Sequence, residues 1–370
     1  LPPARPGNVS AGTFSVHAHP RALAGGGARA QFACTHHHAL MPASATLIVG
    51  VDLGGTNIVV GAMPADGSRE IGVHSLPTRA SLGSDAVVDR ICAMVETTIA
   101  TTMAETGATR AQFAGVGIGS PGPLDRDRGL VIVTPNLGWT NFPLRSRVAN
   151  QVGLTATLDN DANCATLGEW WKGAARGGRN VVGITLGTGI GGGLILESKL
   201  YHGSSDVAGE VGHMSIASTG RRCKCGNYGC LEAYASGPAI AERAREALSG
   251  DEPSMLRELC GGDLAALTAA LVYQASEHGD AVAAEVVRDT ALFLGTGVAN
   301  LLNILNPDVV VLAGGVALAG DSLFLPLRAE VRRRAFKPAV DACRIVPGEL
   351  GGSAGMVGAV AAFLAEHPVA

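Results

Sequence analysis

Two stretches decide the fold: VGVDLGGTNIVVGAM, residues 49–63, and GITLGTGIGGGLIL, residues 183–196. Each is an apolar run, a glycine–threonine turn and a second apolar run. β-Branched residues fill the runs and glycines break them, so each reads as strand–turn–strand. Recurrence of the unit points to two related lobes. In such a turn, glycines let backbone N–H groups close on an anion, and threonine adds a hydroxyl donor. The first turn is neither a Walker A motif nor a G-x-G-x-x-G motif. One such turn alone reads equally well as an ordinary hairpin turn. Two, together with AGG at 313–315, favour loops that grip phosphate. The candidate phosphate-binding residues are Asp52, Gly54, Gly55, Thr56 and Asn57 in the first unit. In the second they are Gly187, Thr188 and Gly189, with Gly314 and Gly315 at the third loop.

Outward from these turns the pattern is α/β. Apolar Val88, Ile91, Val95 and Ile99 share one face of a helix between Asp85 and Gly107. GVGIGSPGPLD is a strand running into a Gly/Pro loop, and TATLDNDANCATLGEWW is a short strand, a polar turn and a helix. Residues 237–301 carry helical spacing. DVVVLAGGVA (308–317) is a buried strand ending on glycines, and GGSAGMVGAVAAFLAE is a C-terminal helix.

Apolar residues make up 47% of the 370 and charged residues 16%, enough for a large core and too apolar for general disorder. The net charge of −4 offers no basic surplus for nucleic acid, and 4% aromatics offer no stacking platform for single strands. No apolar run is long enough to suggest a membrane span. The opening 45 residues stand apart. They hold no Asp or Glu, five of the ten histidines and no periodicity, and they are read as a disordered extension or an over-extended start, with Met41 as a plausible initiator. His36, His37 and His38 could bind metal adventitiously. With no secretory h-region, the expected compartment is the reducing cytoplasm.

Three constellations carry chemistry. In LDNDAN (158–163), Asp161 sits at a strand end before a helix. Asn160 or Asp159 could cap that helix while Asp161 faces a cleft and takes a proton from an attacking hydroxyl. In PNLGW (135–139), Asn136 is a turn residue that can also hydrogen-bond sugar hydroxyls. In CKCGNYGCLE (223–232), the Cys-x-Cys-x4-Cys spacing with His213 upstream makes a Cys3His zinc set from Cys223, Cys225, Cys230 and His213. Three cysteines leave one unpaired, which disfavours a disulfide. No open position for water is evident, so the zinc is expected to be structural, fixing the loop that carries Glu210, His213 and Glu232.

Together, DLGGTN, GSPGPLD, TPNLGW, DNDAN, TLGTGIGGG, GEVGHM, CKCGNYGCLE and VVVLAGGV resemble the ROK family of sugar kinases, near its bacterial glucokinases, over about residues 47–366. The resemblance implies a two-lobe, actin-like ATPase (ribonuclease H-like) fold with a central cleft. The expected division is 46–162 for the N-terminal lobe, with helix 353–366 packing back on it, and 163–352 for the C-terminal lobe. It implies ATP with Mg2+ as donor, a hexose acceptor and a homodimer. By likeness, Asp161 is general base on the glucose 6-hydroxyl. Asn136, Asn160, Glu210, His213 and Glu232 hold the other hydroxyls, and His213 also binds zinc. Many relatives carry Lys where Asn57 stands, which removes one positive charge here. N-acetylglucosamine, N-acetylmannosamine, mannose, fructose and allose remain alternative acceptors, and polyphosphate an alternative donor. Some members are sugar-responsive repressors, but the opening segment shows no helix-turn-helix pattern.

Overall fold

Strands β1 (Leu47–Leu53), β2 (Asn57–Pro64), β3 (Ile71–Pro77), β4 (Phe113–Ser120), β5 (Leu124–Asp125), β6 (Leu130–Thr134), β7 (Trp139–Phe142) and β8 (Thr155–Asn160) occupy the first half. In the second lie β9 (Val181–Leu186), β10 (Ile190–Leu196), β11 (Lys199–Leu200), β12 (Val309–Ala313) and β13 (Arg344–Pro347). The computed structural model describes residues 45–369. The expectations for the opening segment, including Met41 and the histidines at 36–38, lie outside the described residues.

One sheet runs β3-β2-β1-β4-β8 and another β11-β10-β9-β12-β13. Both follow one plan: third, second and first strands antiparallel, then two more added in parallel. The repeat legible in two glycine–threonine turns is therefore a repeat of sheet topology. β1 and β9 are central strands covered on both faces, which is why their apolar runs are nearly continuous rather than alternating. A smaller sheet, β5-β6-β7, stands on the first.

The helices are α1 (Ser84–Thr106), α2 (Leu144–Val152), α3 (Asp161–Trp171), α4 (Glu232–Ala235), α5 (Gly237–Ala247), α6 (Leu256–Leu259), α7 (Ala269–Glu277), α8 (Ala281–Leu305), α9 (Asp321–Arg334), α10 (Lys337–Ala342) and α11 (Ala354–Glu366). The expected face of α1 is buried at Val88, Ile91, Val95 and Ile99. One core lies between α1, α2 and the first sheet. A second joins β9, β10 and β12 to α5, α7, α8 and α9. α8 is stopped by Asn306 in the left-handed conformation, a routine C-terminal signal.

Between the two large sheets lie α3 and α11, packed on each other. α11 lies across β1 and β4, and α3 reaches β9 and β10. Glycines permit this. A Cβ at Gly117 would fall 1.9 Å from the Ala359 carbonyl oxygen, and one at Gly358 only 1.6 Å from that of Cys164. Both neighbours are backbone and cannot swing aside. Gly358→Ala is expected to destabilise the protein by about 1–3 kcal/mol, as overpacking does. A thermal melt should show the midpoint falling by several degrees, and an unchanged midpoint would mean the helices separate at no cost.

Candidate active site

β8 runs straight into α3, so one step along the chain turns an extended segment into a helix N-terminus. Asn160 is the cap: its Oδ1 accepts from the backbone N–H groups of Ala162 at 2.9 Å and Asn163 at 3.1 Å. Its side chain also hydrogen-bonds to the neighbouring Asp161 carboxylate. Asp159 points the other way and is buried. Asp161 lines a cavity of about 680 Å³.

That cavity collects most of the residues singled out in the sequence. Gly55 and Thr56 come from the β1–β2 turn, Asn136 from the β6–β7 turn, and Asn160 and Asp161 from the β8–α3 junction. Gly187, Thr188 and Gly189 come from the β9–β10 turn, Glu210 and His213 from the irregular segment after β11, Glu232 from the start of α4, and Gly314 from the end of β12. The two turns are built alike: Gly54 N–H donates to the Asn57 carbonyl at 2.9 Å, and Gly187 N–H to that of Gly189 at 2.9 Å. Gly54, Asp52 and Asn57 are not in the cavity wall. Asn57 is exposed at the start of β2, and Asp52 lies against Gly355 at the start of α11. The missing Lys charge at position 57 therefore falls outside the wall.

Sequence reasoning missed other parts of the wall. Pro121, Gly122 and Pro123 line it, as do Thr134 and Thr185. A neighbouring cavity of about 700 Å³ shares Leu186, Gly187 and Thr188 with the first and is mainly apolar. Gly315 belongs there, facing α5 and α7 through Arg245, Tyr273 and Gln274. Nothing in the helical spacing of those segments marks them as a site.

The electrostatics favour proton transfer at Asp161. Exclusion of water raises its carboxyl to about 6, against the backbone N–H of Ala162, with repulsion from Glu210 adding to the rise. Burial, then the nearby Asp161, pushes Asp52 to about 7. Two shielded carboxylates that repel each other make a place where a divalent cation would relieve strain.

The cysteine loop closes on the segment before it. Leu231 N–H donates to the Met214 carbonyl at 3.0 Å and Ile216 N–H to that of Gly229 at 2.8 Å, which sets Cys230 beside His213. Gly229 has φ 74° and lies against the Ala217 carbonyl, where no side chain fits. The ligand atoms of His213, Cys223, Cys225 and Cys230 all lie within 4.8 Å of one another. Cys225 Sγ and Cys230 Sγ are 3.8 Å apart. A disulfide needs about 2.05 Å, whereas zinc–sulfur bonds of about 2.3 Å place tetrahedral sulfurs about 3.8 Å apart. Burial pushes the Cys223 thiol up to about 12, a backbone N–H from Asn227 lowers that of Cys225, and a bound cation would hold both as thiolates. The donor set fits structural zinc. His213 presents Nδ1 to Cys223 Sγ at 3.8 Å, leaving Nε2 for the cavity the ring lines. Glu232 follows the last cysteine by two residues, and its Oε2 accepts from Ile190 N–H at 2.9 Å. The cysteine loop is thereby tied to the β9–β10 turn. Cys225→Ser is expected to reduce zinc well below one equivalent per chain by elemental analysis. Full retention of zinc would remove the Cys3His assignment.

Comparison with known proteins agrees with this geometry. The model of the ROK family matches residues 48–366. The chain is 36% identical over 311 residues to the glucokinase of Halalkalibacterium halodurans, covering 84% of this chain and 92% of that one. It is 37% identical over 314 residues to the glucokinase of Thermotoga maritima, covering 84% and 95%. The crystal structure of a ROK family glucokinase from Streptomyces griseus, in complex with glucose and AMPPNP, superposes with a TM-score of 0.73 at 34% identity, covering 85% of this chain and 98% of that one.

Proposed function

Because this chain belongs to the ROK family, we propose that it transfers the terminal phosphoryl group of ATP to the 6-hydroxyl of glucose, giving glucose 6-phosphate and ADP. The observation that carries the reading is the single cavity in which Asp161 and five other hydroxyl-binding side chains face two glycine–threonine turns. The turns and Gly314 are positioned to grip the phosphates through backbone N–H groups. The adjoining apolar cavity suits the nucleoside, since it opens directly from Gly187 and Thr188.

In this reading Asn136, Asn160, Glu210, His213 and Glu232 hold the sugar, and Asp161 accepts the 6-hydroxyl proton as that oxygen attacks the terminal phosphorus. The bond to the ADP oxygen breaks as the new one forms. The protein's share is positioning and charge, because phosphoryl transfer needs little covalent help. Mg2+, when bound, would neutralise the charge on the transferred group, and Asp52 is the carboxylate we assign to it. A site that hydrogen-bonds several hydroxyls rejects acceptors lacking them, since buried partners are then left unpaired. Closure of the lobes on the sugar would exclude competing water.

We divide the chain at residues 162 and 163 and assign α11 to the first lobe, a division supported by its packing on β1 and β4. From the family likeness we also propose a homodimer acting in the cytoplasm. Among the described residues no helix is long and apolar enough to cross a membrane.

Asp161→Asn preserves the size of the base and removes its proton affinity. It is expected to lower kcat by about 10²- to 10⁴-fold while glucose binding, measured by calorimetry, changes little. Undiminished turnover would exclude Asp161 as base. The pH profile makes a second check. The base must be ionised, so activity is lost as pH falls through its raised value. With Mg2+ saturating, which pulls Asp52 down, kcat/KM for glucose should show one acid limb at about 6. A flat profile from pH 7 to 5 would contradict the assignment.

A further inference from the structure

Asp159 is 2% exposed and does not line the cavity, yet its carboxylate meets three hydrogen-bond donors and an arginine, drawn from three segments of the chain. Its Oδ1 accepts from Asn160 N–H at 2.8 Å and from Asn163 Nδ2 at 3.0 Å. Its Oδ2 accepts from His202 Nε2 at 2.8 Å and faces Arg126 Nε at 3.3 Å. We propose that Asp159, with His202 and Arg126, is the positioning hub of the acceptor site, holding the three segments that carry sugar-binding groups in mutual register. The inference rests on the sugar-kinase reading above and adds to it residues that touch no substrate.

Each arm of the hub leads to a different part of the site. Asn160, whose N–H binds Asp159, lines the cavity and is followed by Asp161. Arg126 lies in the β5–β6 connection of the small sheet, and the next connection, β6–β7, carries Asn136. His202 follows β11 and begins the segment that ends at Glu210 and His213. That segment is held at two points, because Asp206 Oδ2 also accepts from Arg126 N–H at 3.2 Å. Asp206 has φ 57°, an unfavourable backbone for a residue with a side chain, which the bond to Arg126 offsets. Ala208 N–H closes the turn on the His202 carbonyl at 3.1 Å.

The chemistry requires these residue types. A buried carboxylate is costly unless its lone pairs are filled. Burial raises the Asp159 carboxyl, and the hydrogen bond from His202 with the charge of nearby Arg126 outweighs that and holds it below the usual range. Arg126 is further fixed by Glu366 at 2.6 Å, at the end of α11. Displacing any arm moves hydroxyl-binding groups without touching the phosphate turns. Misplacement of about 1 Å is enough to cost a large factor in a positioned reaction.

Steady-state kinetics of the full chain with glucose and ATP test this. His202→Leu removes a donor to a buried charge and is expected to raise glucose KM by about tenfold or more, with ATP KM within about twofold of wild type. His202→Gln keeps an N–H donor at similar reach and should restore most of the affinity. Unchanged glucose KM in His202→Leu would overturn the hub. So would a parallel rise in both KM values that His202→Gln fails to correct, because that marks general loss of structure. Wild-type turnover separates the two ideas: no turnover on glucose overturns the proposed function, and normal turnover with an unmoved His202→Leu overturns the hub alone.

Discussion

The rest of the structure depends on the seating of α3 against α11 with almost no side chain between them. A Cβ at Gly168 would fall 2.3 Å from the Ala354 carbonyl oxygen, the counterpart of Gly358 against Cys164. On its other side α3 reaches the second sheet, where Gly183 and Gly193 leave room for Thr166. One helix thus touches both sheets at close range, and its first residue is Asp161. The position of the proposed base is set by glycines far from it in sequence. Glu169, on the same helix and fully buried, accepts N–H groups from Ala174, Glu349 and Leu350. It fixes the segment that leads into α11, so the joint is closed by polar contacts as well as by shape.

Around that joint the two substrates would be handled by different chemistry. The phosphate side uses main-chain N–H groups on turns between paired strands, whose geometry follows from the hairpins and needs no long side chain. The acceptor side uses carboxylates, amides and an imidazole, which discriminate among hydroxyl patterns. Glu232 joins the two. It sits in the acceptor wall while one of its oxygens holds Ile190 N–H at the base of the second turn. The glycines after that turn serve packing. Gly192 meets Gly209 face to face, and Gly212 lies against the Ile190 carbonyl, so the GEVGH segment rests directly on β10.

The sheets, the repeat and most of the cavity wall were legible because they depend on local signals. Continuous apolar runs, glycine turns and the Asn160 cap act over a few residues, and their chemistry survives in the sequence. Asp159 was legible only as a possible cap. Its role depends on Arg126 and His202, which lie 33 residues before and 43 after it, and no spacing rule connects them. The nucleoside-sized cavity was invisible for a related reason: Tyr273 and Gln274 lie in an amphipathic pattern that reads simply as helix. The candidate phosphate set was broader than the wall itself. Asp52 and Asn57 belong to the same motif as Gly55 but do not line the wall: Asn57 is exposed at the start of β2, and Asp52 stands behind the wall, close enough to Asp161 to feel its charge.

A metal at residues 213–230 would meet a need of the proposed acceptor site. The segment from Tyr201 to Leu231 contains one short 3-10 turn and no strand of any named sheet, so ladders do little to order it. Burial cannot order it fully either, because Glu210 and His213 line a polar cavity. Fixing such a segment costs conformational entropy at every residue. A structural zinc site would contribute far more toward that than any single hydrogen bond. Bound by His213 and the three cysteines, it would act at one end of the segment, while the bonds of His202 and Asp206 act at the other. Between two such anchors polar side chains can be held rigid without being buried, which is the condition a hydroxyl-recognising wall has to meet.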